Sequence, residues 1–363
     1  DDRKEWLGGY KRDSFVDTAL HTIPYEDFIH KELIHFSKYD CERSIPNLMD
    51  GLKISHRKIL FSAFKKNLVN EIKVAQFTGY VSEHSGYHHG EASLNGAIVG
   101  LAQNFVGSNN INLFAPNGQF GTRLRGGKDS ASERYIYTNL SPITRRLFPA
   151  ADDHVLQYLD DDGTPVEPLY YAPIIPLILV NGTKGIGTGF STDVMSYNPT
   201  DIITHLRDRL GTGAFPDREF VPYYEGFCGT ISKMDDNKFL IRGRYEVIDT
   251  DKIRITELPV GTWTDDFKEY LEKLTESTDK NGKKVVPLVK DIDDMSKDTT
   301  VDITVTLAPS KLDELRTKVL DPVTGCTELE RMFKLYTTGS TNNMHLFGPD
   351  DKLKKYASPN EIV

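Results

Sequence analysis

The sequence is poor in cysteine and contains no long apolar segment. Its three cysteines among 363 residues, Cys41, Cys228 and Cys326, are an odd number at wide spacing, which argues against a complete disulfide framework and a thiolate metal cluster. No apolar run reaches the length of a membrane span, and the segment beginning at Asp1 lacks the pattern of a signal peptide. We therefore expect an intracellular protein of a reducing compartment, with no membrane partner.

An excess of positive charge is also missing. The 44 lysines and arginines are outnumbered by 53 aspartates and glutamates, giving a net charge of −9. This alone argues against a nucleic-acid partner, because DNA binding requires cations that neutralise phosphates. The basic residues are nevertheless concentrated between residues 50 and 75 and between residues 123 and 146. Basic islands in an acidic chain indicate a localised anionic ligand.

The length and the apolar pattern predict an α+β protein of two domains. In the first half we expect helices at 25–37, at 55–66 and from about 94 to 105, with a turn at 78–80. A continuous apolar run at 173–180 is interpreted as a buried strand. Further along, the pattern predicts helices at 199–210, 264–275, 310–320 and 327–336, and strands at 238–241, 245–248, 252–257 and 300–307.

The order of elements in the first half is that of a winged helix-turn-helix domain, which contacts DNA with its second helix and its wing. Helix, turn and helix are followed by an expected β-hairpin that carries residues 118–137. In the helix at 55–66, the apolar positions are expected to be buried. Its basic positions, Arg57, Lys58, Lys65 and Lys66, are expected to face outward.

The segment 118–137 combines a glycine-rich loop, the cations Arg123 and Lys128, and the pair Arg134-Tyr135. Tyrosine has a pKa of roughly 10 and becomes a nucleophile near neutral pH only when a base or nearby cations favour the phenolate. Taken alone, Tyr135 fits a half-buried strand residue, since aromatic residues favour strands. The glycines, which permit close approach of a ligand to the backbone, favour an exposed wing that faces phosphate.

Two further features leave alternatives open. His88 and His89 precede a helix without a third metal ligand at helical spacing, so they are either solvent-exposed histidines or residues that bind phosphate or transfer protons. Ile186 lies in the glycine-rich segment 182–189, which lacks the Gly-Lys-Ser/Thr ending of a nucleotide-binding loop. An aliphatic residue there is either packed in the core, which the residues alone favour, or inserted between bases.

Several strings together resemble the breakage-reunion region of type IIA DNA topoisomerases, specifically the eukaryotic-type topoisomerase II. They follow the family's order over most of the first 200 residues. Two local departures are Ile54-Ser55-His56, where the family usually has Pro-Gly-Gln, and Glu133. The principal matching strings are Arg43 to Lys53, Tyr87-His88-His89-Gly90-Glu91, Gly100 to Asn110, Gly126-Gly127-Lys128-Asp129 and Arg134-Tyr135-Ile136-Tyr137.

The resemblance implies a winged helix-turn-helix domain followed by an α/β tower domain. The implied division is a connector at 1–35, which follows a metal-binding TOPRIM domain absent from this chain, a winged-helix DNA-cleavage domain at 36–172, and a tower domain at 173–363 that ends before a coiled-coil gate. Mg²⁺ and ATP would be bound by domains outside this chain, which itself would hold no metal. The chain alone is therefore expected to lack full activity.

The function implied by the resemblance is that of the cleavage and religation core of an ATP-dependent type II DNA topoisomerase. Tyr135 would form a transient 5′-phosphotyrosyl bond with the gate segment of double-stranded DNA, within a homodimer. A nuclear location is implied, with a cytoplasmic viral factory as the alternative. Arg134, His89, His88 and Arg43 would be the other catalytic residues, Lys53, Arg57, Lys58, Arg123 and Lys128 would bind DNA, and Ile186 would be the wedge that bends it.

Two other classes remain as alternatives. A non-enzymatic winged-helix or architectural DNA-binding protein would share the basic islands and the wedge but would have no use for Arg134-Tyr135 beside His89. A different tyrosine nuclease or recombinase is disfavoured because its own metal or multi-arginine motif is missing.

Overall fold

The computed structural model describes residues 2–213, 217–277 and 286–363, so Asp1, where the predicted connector starts, lies outside the described residues. Every helix in this part of the chain is too short or too polar to cross a membrane. The helices are α1 Asp2–Gly8, α2 Tyr25–Phe28, α3 Ile34–Ser44, α4 Ile54–Lys66, α5 Val74–Ser85, α6 Glu91–Ala102, α7 Thr144–Leu147, α8 Leu177–Asn181, α9 Pro199–Thr212, α10 Thr264–Leu274, α11 Lys311–Thr317, α12 Glu328–Met332 and α13 Pro359–Ile362.

The strands named here are short and all belong to small antiparallel sheets. Their bounds are β1 Ile72–Lys73, β2 Tyr137–Thr138, β3 Tyr158–Asp161, β4 Thr164–Pro168, β5 Thr183–Ile186, β6 Ser191–Val194, β7 Thr230–Asp235, β8 Lys238–Arg242, β9 Arg244–Asp249, β10 Lys252–Glu257, β11 Val289–Asp294, β12 Ile303–Leu307, β13 Val319–Asp321, β14 Cys326–Thr327, β15 Tyr336–Ser340, β16 Met344–Phe347 and β17 Leu353–Tyr356.

A π-helical segment, Ile29–Leu33, joins α2 to α3, so one long helical rod runs from Tyr25 to Ser44. This rod is longer than the helix predicted at 25–37. The predicted helices at 55–66 and 199–210 are confirmed as α4 and α9, and the one at 264–275 as α10. Those at 310–320 and 327–336 are confirmed only in part, as α11 and α12, because residues 319–321 form β13 and β15 begins at residue 336. The predicted strands correspond to β8, β9, β10 and β12.

The larger core forms where α4, α5 and α6 pack together. Ile59, Leu60, Phe77, Leu94 and Ile98 are fully buried there, because each helix places apolar residues along one face. α4 ends where Asn67 adopts the left-handed conformation, which asparagine tolerates better than most residues. The expectation that apolar positions of α4 are buried is thus confirmed for Ile59 and Leu60.

The predicted turn at 78–80 is wrong, because α5 continues through it. Val74, Phe77 and Val81 lie at helical spacing and are all completely buried. Burial of such side chains contributes about 1.5–3 kcal/mol each, whereas a glycine within a helix costs only about 1 kcal/mol. Packing therefore outweighs the helix-breaking tendency of Gly79.

The predicted strand at 173–180 is also wrong. Leu177 to Val180 of this run belong to α8, which begins after Pro176, and all four are buried. A short continuous apolar run does not distinguish a buried strand from a buried helix. The Asn181 side chain fixes the end of α8, since it accepts a hydrogen bond from the Ile111 backbone N–H and donates one to the Ile111 carbonyl, each at 2.9 Å.

The expected β-hairpin around 118–137 exists only at its base. Isolated bridges join Phe114 to Leu140 and Asn117 to Tyr137, and β2 pairs with β1. The residues between, 118–136, form turns and irregular loop. Tyr135 consequently lies in a turn and not in a strand.

The second core belongs to the sheet β11-β12-β10-β9 and the helices α10, α11 and α12. Ile253, Ile255, Val305 and Phe267 are buried in it. The strand pair β16–β17 does not join this core but packs on the first one. The first core also includes α8 and part of α9, so the expected boundary at 172/173 falls within it, and the division into domains stays a prediction.

Candidate active site

A cavity of about 330 Å³ lies between α3, α4 and the loop that joins α5 to α6. Four residues that the sequence nominated line it: Arg43, Lys58, His88 and His89. Arg43 is exposed near the end of α3, and the two histidines directly precede the N-terminus of α6. Cations and a helix N-terminus therefore surround one concave surface, which suits an anionic ligand.

The imidazole of His89 is held by two tyrosines. The Tyr39 hydroxyl hydrogen-bonds Nε2 of His89, and the buried ring of Tyr87 meets the imidazole edge-on with 5.3 Å between ring centroids. Burial lowers the pKa of His89, and the neighbouring Arg43, His88 and Lys58 lower it further. His89 is thus neutral near pH 7 and carries a single N–H donor.

His88 has a different environment from its neighbour. Its side chain is 81% exposed and its Nε2 lies 3.9 Å from a carboxylate oxygen of Asp161, a weak surface contact. In the described ranges, no three histidine, cysteine, aspartate or glutamate side chains are grouped as metal ligands would be. The residues that the structure describes therefore do not fit a metal site.

Tyr39 is a residue that the sequence reading missed. Its ring lies under the guanidinium of Arg43, with 5.9 Å between the guanidinium carbon and the ring centroid. Residues four apart on a helix share a face, so the spacing of Tyr39 from Arg43 was the signal that could have revealed it.

Tyr135 is 70% exposed, and its turn is firmly held. Its backbone N–H donates to the Ser132 carbonyl at 2.9 Å. On either side, Val74 and Ala75 at the start of α5 donate to the carbonyls of Ile136 and Glu133 at 3.0 and 3.1 Å. The Arg134 guanidinium carbon lies 5.8 Å from the Tyr135 ring centroid. The phenol does not line the cavity that contains Arg43 and His89. It is exposed to solvent, so a large ligand can reach it.

The expected outward orientation of Arg57 is wrong. Its guanidinium is buried, with Nε 2.7 Å from Oδ2 and Nη2 3.1 Å from Oδ1 of Asp50. Nη2 also donates to the Leu52 carbonyl at 3.0 Å. Asp50 is fully buried and accepts a further hydrogen bond from the Tyr171 backbone N–H, so Arg57 neutralises a buried carboxylate and is not available to DNA.

Lys58 is only partly available. Its Nζ lies 2.8 Å from Oε2 of Glu167 and also donates to the Ser85 carbonyl. Its side chain is 14% exposed, although it lines the cavity. The expected outward orientation is therefore wrong for Lys58 and is confirmed for Lys65 and Lys66, which are exposed.

Arg123 likewise faces inward. It is 5% exposed and forms a two-pronged ion pair with Glu257 at the end of β10. The backbone N–H groups of Thr264 and Asp265 donate to the carbonyls of Arg123 and Leu124 at 3.3 and 3.0 Å. The loop is therefore attached to the N-terminus of α10, and the predicted contact of Arg123 with DNA is not supported.

The glycines of this loop serve internal packing rather than a ligand. Gly126 has φ +61°, and a Cβ there would lie 2.3 Å from the Trp263 ring. At Gly127, with φ +82°, a Cβ would lie 2.3 Å from the Gln103 side-chain nitrogen. Lys128, between this loop and Tyr135, is exposed as expected for a DNA contact.

Ile186 lies on the hairpin β5–β6 and is 84% exposed, so its assignment to the core from the residues alone is wrong. The hairpin is attached to the end of α3: Thr188 donates through N–H and hydroxyl to Asp40 Oδ2, both at 2.9 Å. Lys53 Nζ donates to the Lys184 carbonyl at 2.9 Å. The Ile186 side chain is thus exposed on a hairpin whose position is fixed by hydrogen bonds to α3 and from Lys53.

The chain matches two family models. Residues 43–363 match the A-subunit family of DNA gyrase/topoisomerase IV, and residues 1–41 match the C-terminal associated domain of TOPRIM. DNA topoisomerase 2 of Arabidopsis thaliana is 47% identical over 365 residues and covers 99% of this chain. DNA topoisomerase 2 of Saccharomyces cerevisiae is 46% identical over 363 residues and covers all of it. The chain spans 24% of the length of each of these relatives.

The fold agrees with a solved structure as well. A crystal structure described as the DNA-binding, cleavage and re-ligation domain of Plasmodium falciparum topoisomerase II superposes with a TM-score of 0.88 at 45% identity, and the match covers 99% of this chain and 47% of that one. Sequence and fold agree over essentially the whole chain, which therefore belongs to the type IIA DNA topoisomerase family, among the eukaryotic-type topoisomerase II proteins.

Proposed function

We propose that this chain is the DNA cleavage and religation core of a type II DNA topoisomerase, with Tyr135 as the nucleophile. The observation that supports this proposal most directly is the position of the Tyr135 phenol. It is 70% exposed on a turn held by backbone hydrogen bonds, with Arg134 beside it. The phenolic oxygen attacks a backbone phosphorus and loses its proton. The 5′-phosphotyrosyl ester forms as the bond to the 3′-oxygen breaks, and that oxygen leaves as a 3′-hydroxyl after taking up a proton. Religation is the reverse exchange.

The other catalytic roles follow from charge and position. In the proposal, Arg134 stabilises the charge that develops on the phosphoryl oxygens, as preorganised donors do in phosphoryl transfer. Arg43 and His89, with His88 beside them, receive the phosphate in the cavity that they line. Tyr135 does not line that cavity. We therefore infer that the bound duplex places the scissile phosphate within reach of both the cavity and the Tyr135 phenol.

DNA contacts are proposed for Lys128, Lys53 and Ile186. Lys128 is exposed, Lys53 supports the hairpin of Ile186, and Ile186 projects from it. Ile186 is proposed to wedge between base steps and bend the duplex, as apolar side chains do in other DNA-bending proteins. Arg57 and Arg123 are assigned to holding the domain instead, because each neutralises an internal carboxylate.

The assembly is proposed from the family. We propose that Mg²⁺ and ATP are held by parts of the full-length protein outside these residues, that the protein works as a homodimer on the gate segment of double-stranded DNA, and that it acts in the nucleus. The connector, winged-helix and tower division at 35/36 and 172/173 belongs to the same proposal. The 363-residue chain alone is expected to bind duplex DNA and cleave it poorly.

The test is Tyr135→Phe in the full-length protein, with trapping of covalent protein–DNA adducts by denaturant. The variant should form no adduct while it binds duplex DNA with unchanged affinity. Tyr137→Phe, two residues along in β2, is the matched control and should retain the adduct. Persistent adduct in Tyr135→Phe would overturn the proposal. Absence of adduct from the wild-type protein would favour a non-enzymatic DNA-binding role.

A further inference from the structure

We propose that Tyr39 is a positioning residue for the cleavage site: its hydroxyl holds His89 so that the imidazole presents its Nδ1–H to the scissile phosphate. This inference rests on the proposed function. It concerns a side chain that neither stands in the matching strings nor belongs to the basic islands, and that the fold alone brings to the site.

The geometry restrains the imidazole from two directions. Tyr39, on α3, hydrogen-bonds Nε2 of His89, and the two ring centroids are 5.8 Å apart. The buried Tyr87 packs against the imidazole edge. Within the described residues, Nδ1 of His89 has no hydrogen-bond partner, so this nitrogen is the one left for a ligand in the cavity.

The proton on His89 follows from the charges around it. Arg43, Lys58 and His88 surround the imidazole on the cavity side, and an additional positive charge among them is unfavourable, so the ring is neutral. A neutral imidazole has one bare nitrogen and one N–H. A phenol is a strong donor, so Tyr39 donates to the bare Nε2 and the ring proton resides on Nδ1. A phosphate oxygen only accepts, and Nδ1–H supplies the donor that it needs.

Arg43 lies next to the Tyr39–His89 hydrogen bond and also lines the cavity proposed for the phosphate. Its guanidinium lies over the Tyr39 ring on the same face of α3. This cation–π contact restrains the Tyr39 ring. Arg43 therefore lines the cavity proposed for the phosphate and also contacts the ring whose hydroxyl binds His89.

Tyr39→Phe in the full-length protein tests the role, because it keeps the ring and removes the hydroxyl. We expect the rate of adduct formation at Tyr135 to fall about tenfold, the upper end of what loss of one hydrogen bond causes, with equilibrium DNA binding unchanged. Tyr25→Phe, on the same helical rod and 89% exposed, should behave as wild type. In a His89→Ala background, Tyr39→Phe should have no further effect. A rate equal to wild type, or an equal fall in both backgrounds, would overturn the role.

A second measurement tests the contact without relying on cleavage. Diethyl pyrocarbonate modifies unprotonated imidazole nitrogens, and mass spectrometry of the full-length protein without DNA locates the modified histidines. Tyr39→Phe should raise the modification rate of His89 severalfold and leave the exposed His88 unchanged. Equal rates at His89 in both proteins would overturn the contact. If the wild-type protein forms no adduct at Tyr135, the proposed function fails, whereas adduct formation that ignores Tyr39→Phe overturns only this inference.

Discussion

Arg123 and Glu257, 134 positions apart in the sequence, form a buried ion pair that joins the glycine-rich loop to the end of β10. Glu257 also accepts hydrogen bonds from the backbone N–H groups of Cys228 and Leu258 at 3.1 and 2.9 Å. The pair therefore connects the segment that precedes Tyr135 to the sheet of the second core. The position of the proposed nucleophile depends on both cores.

Removal of one partner should be costly. Arg123→Ala leaves Glu257 buried without its cation, and loss of one member of a buried pair typically destabilises by about 3–5 kcal/mol. Denaturant unfolding should report a loss of this order. Arg125→Ala is the control, because Arg125 is 65% exposed in its pair with Asp265 and exposed pairs contribute at most about 1 kcal/mol. Equal losses in the two variants would contradict the structural role of Arg123.

The loop glycines should be intolerant of a methyl group. Gly126→Ala places Cβ against the Trp263 ring at a positive φ, so we expect destabilisation of a few kcal/mol by overpacking and backbone strain. Gly79→Ala is the opposite case, since Gly79 lies within α5 with nothing within 4 Å of a Cβ, and it should stabilise by up to about 1 kcal/mol. Thermal unfolding of both variants checks the signs. A neutral Gly126→Ala would show that the loop does not pack on Trp263.

Stability should fall on the acid side because of His56. Burial, followed by the charges of Lys53 and Arg57, lowers the pKa of His56 to about 4 from an ordinary 6.5. Between these values the unfolded chain binds a proton that the folded chain does not. Stability is thus unaffected above the ordinary pKa, declines as the pH falls below it, and the loss is complete below the folded pKa, reaching about 3 kcal/mol.

His56→Gln should remove this part of the pH dependence, since glutamine does not titrate. Unfolding measured at pH 7 and pH 4.5 in both proteins gives the comparison. His88→Gln is the control, because the His88 side chain is 81% exposed and is hydrated in the folded and the unfolded chain alike. An identical acid decline in wild type and His56→Gln would show that other groups cause it.

Ile186, the proposed wedge, should affect DNA shape without affecting the fold. Ile186→Ala removes a side chain that is 84% exposed, so unfolding should change by less than about 0.5 kcal/mol. The end-to-end distance of a bound duplex, measured by energy transfer between end labels, should increase toward that of free DNA. Val323→Ala has the same exposure, 84%, and should leave the bend intact. A bend that persists without Ile186 would exclude it as the wedge.

The local sequence pattern was sufficient to predict some helices and strands and not others. α4 and α9 were predictable because the spacing of their apolar residues and the residues at their ends indicate a helix over the same segment. α8 was not, since four consecutive buried residues, Leu177 to Val180, leave no periodicity to read. The helical course through Gly79 depends on packing between α5 and its neighbours, which a single segment does not reveal.

The same distinction applies to the site. Arg57 has its partner Asp50 only seven positions away, so its burial was within reach of the sequence. The partner of Arg123 lies 134 positions away, and no local pattern indicates it. The residues alone singled out Tyr135 and His89, and the family resemblance added Arg43, whereas the Tyr39 contact with His89 arises from two segments brought together by folding.

The strand pair at the C-terminal end of the chain has a consequence for how the protein is made. Leu48 donates to the Phe347 carbonyl and Phe347 donates to the Pro46 carbonyl, at 2.8 and 3.1 Å, and Met344, Leu346 and Tyr356 complete the core that contains α4. Asn47 and its partner Gly348 are 301 positions apart. At roughly 5–20 residues per second, a ribosome needs about 15–60 seconds to cover that distance. The core that contains α4 therefore stays partly open until β16 and β17 have been synthesised.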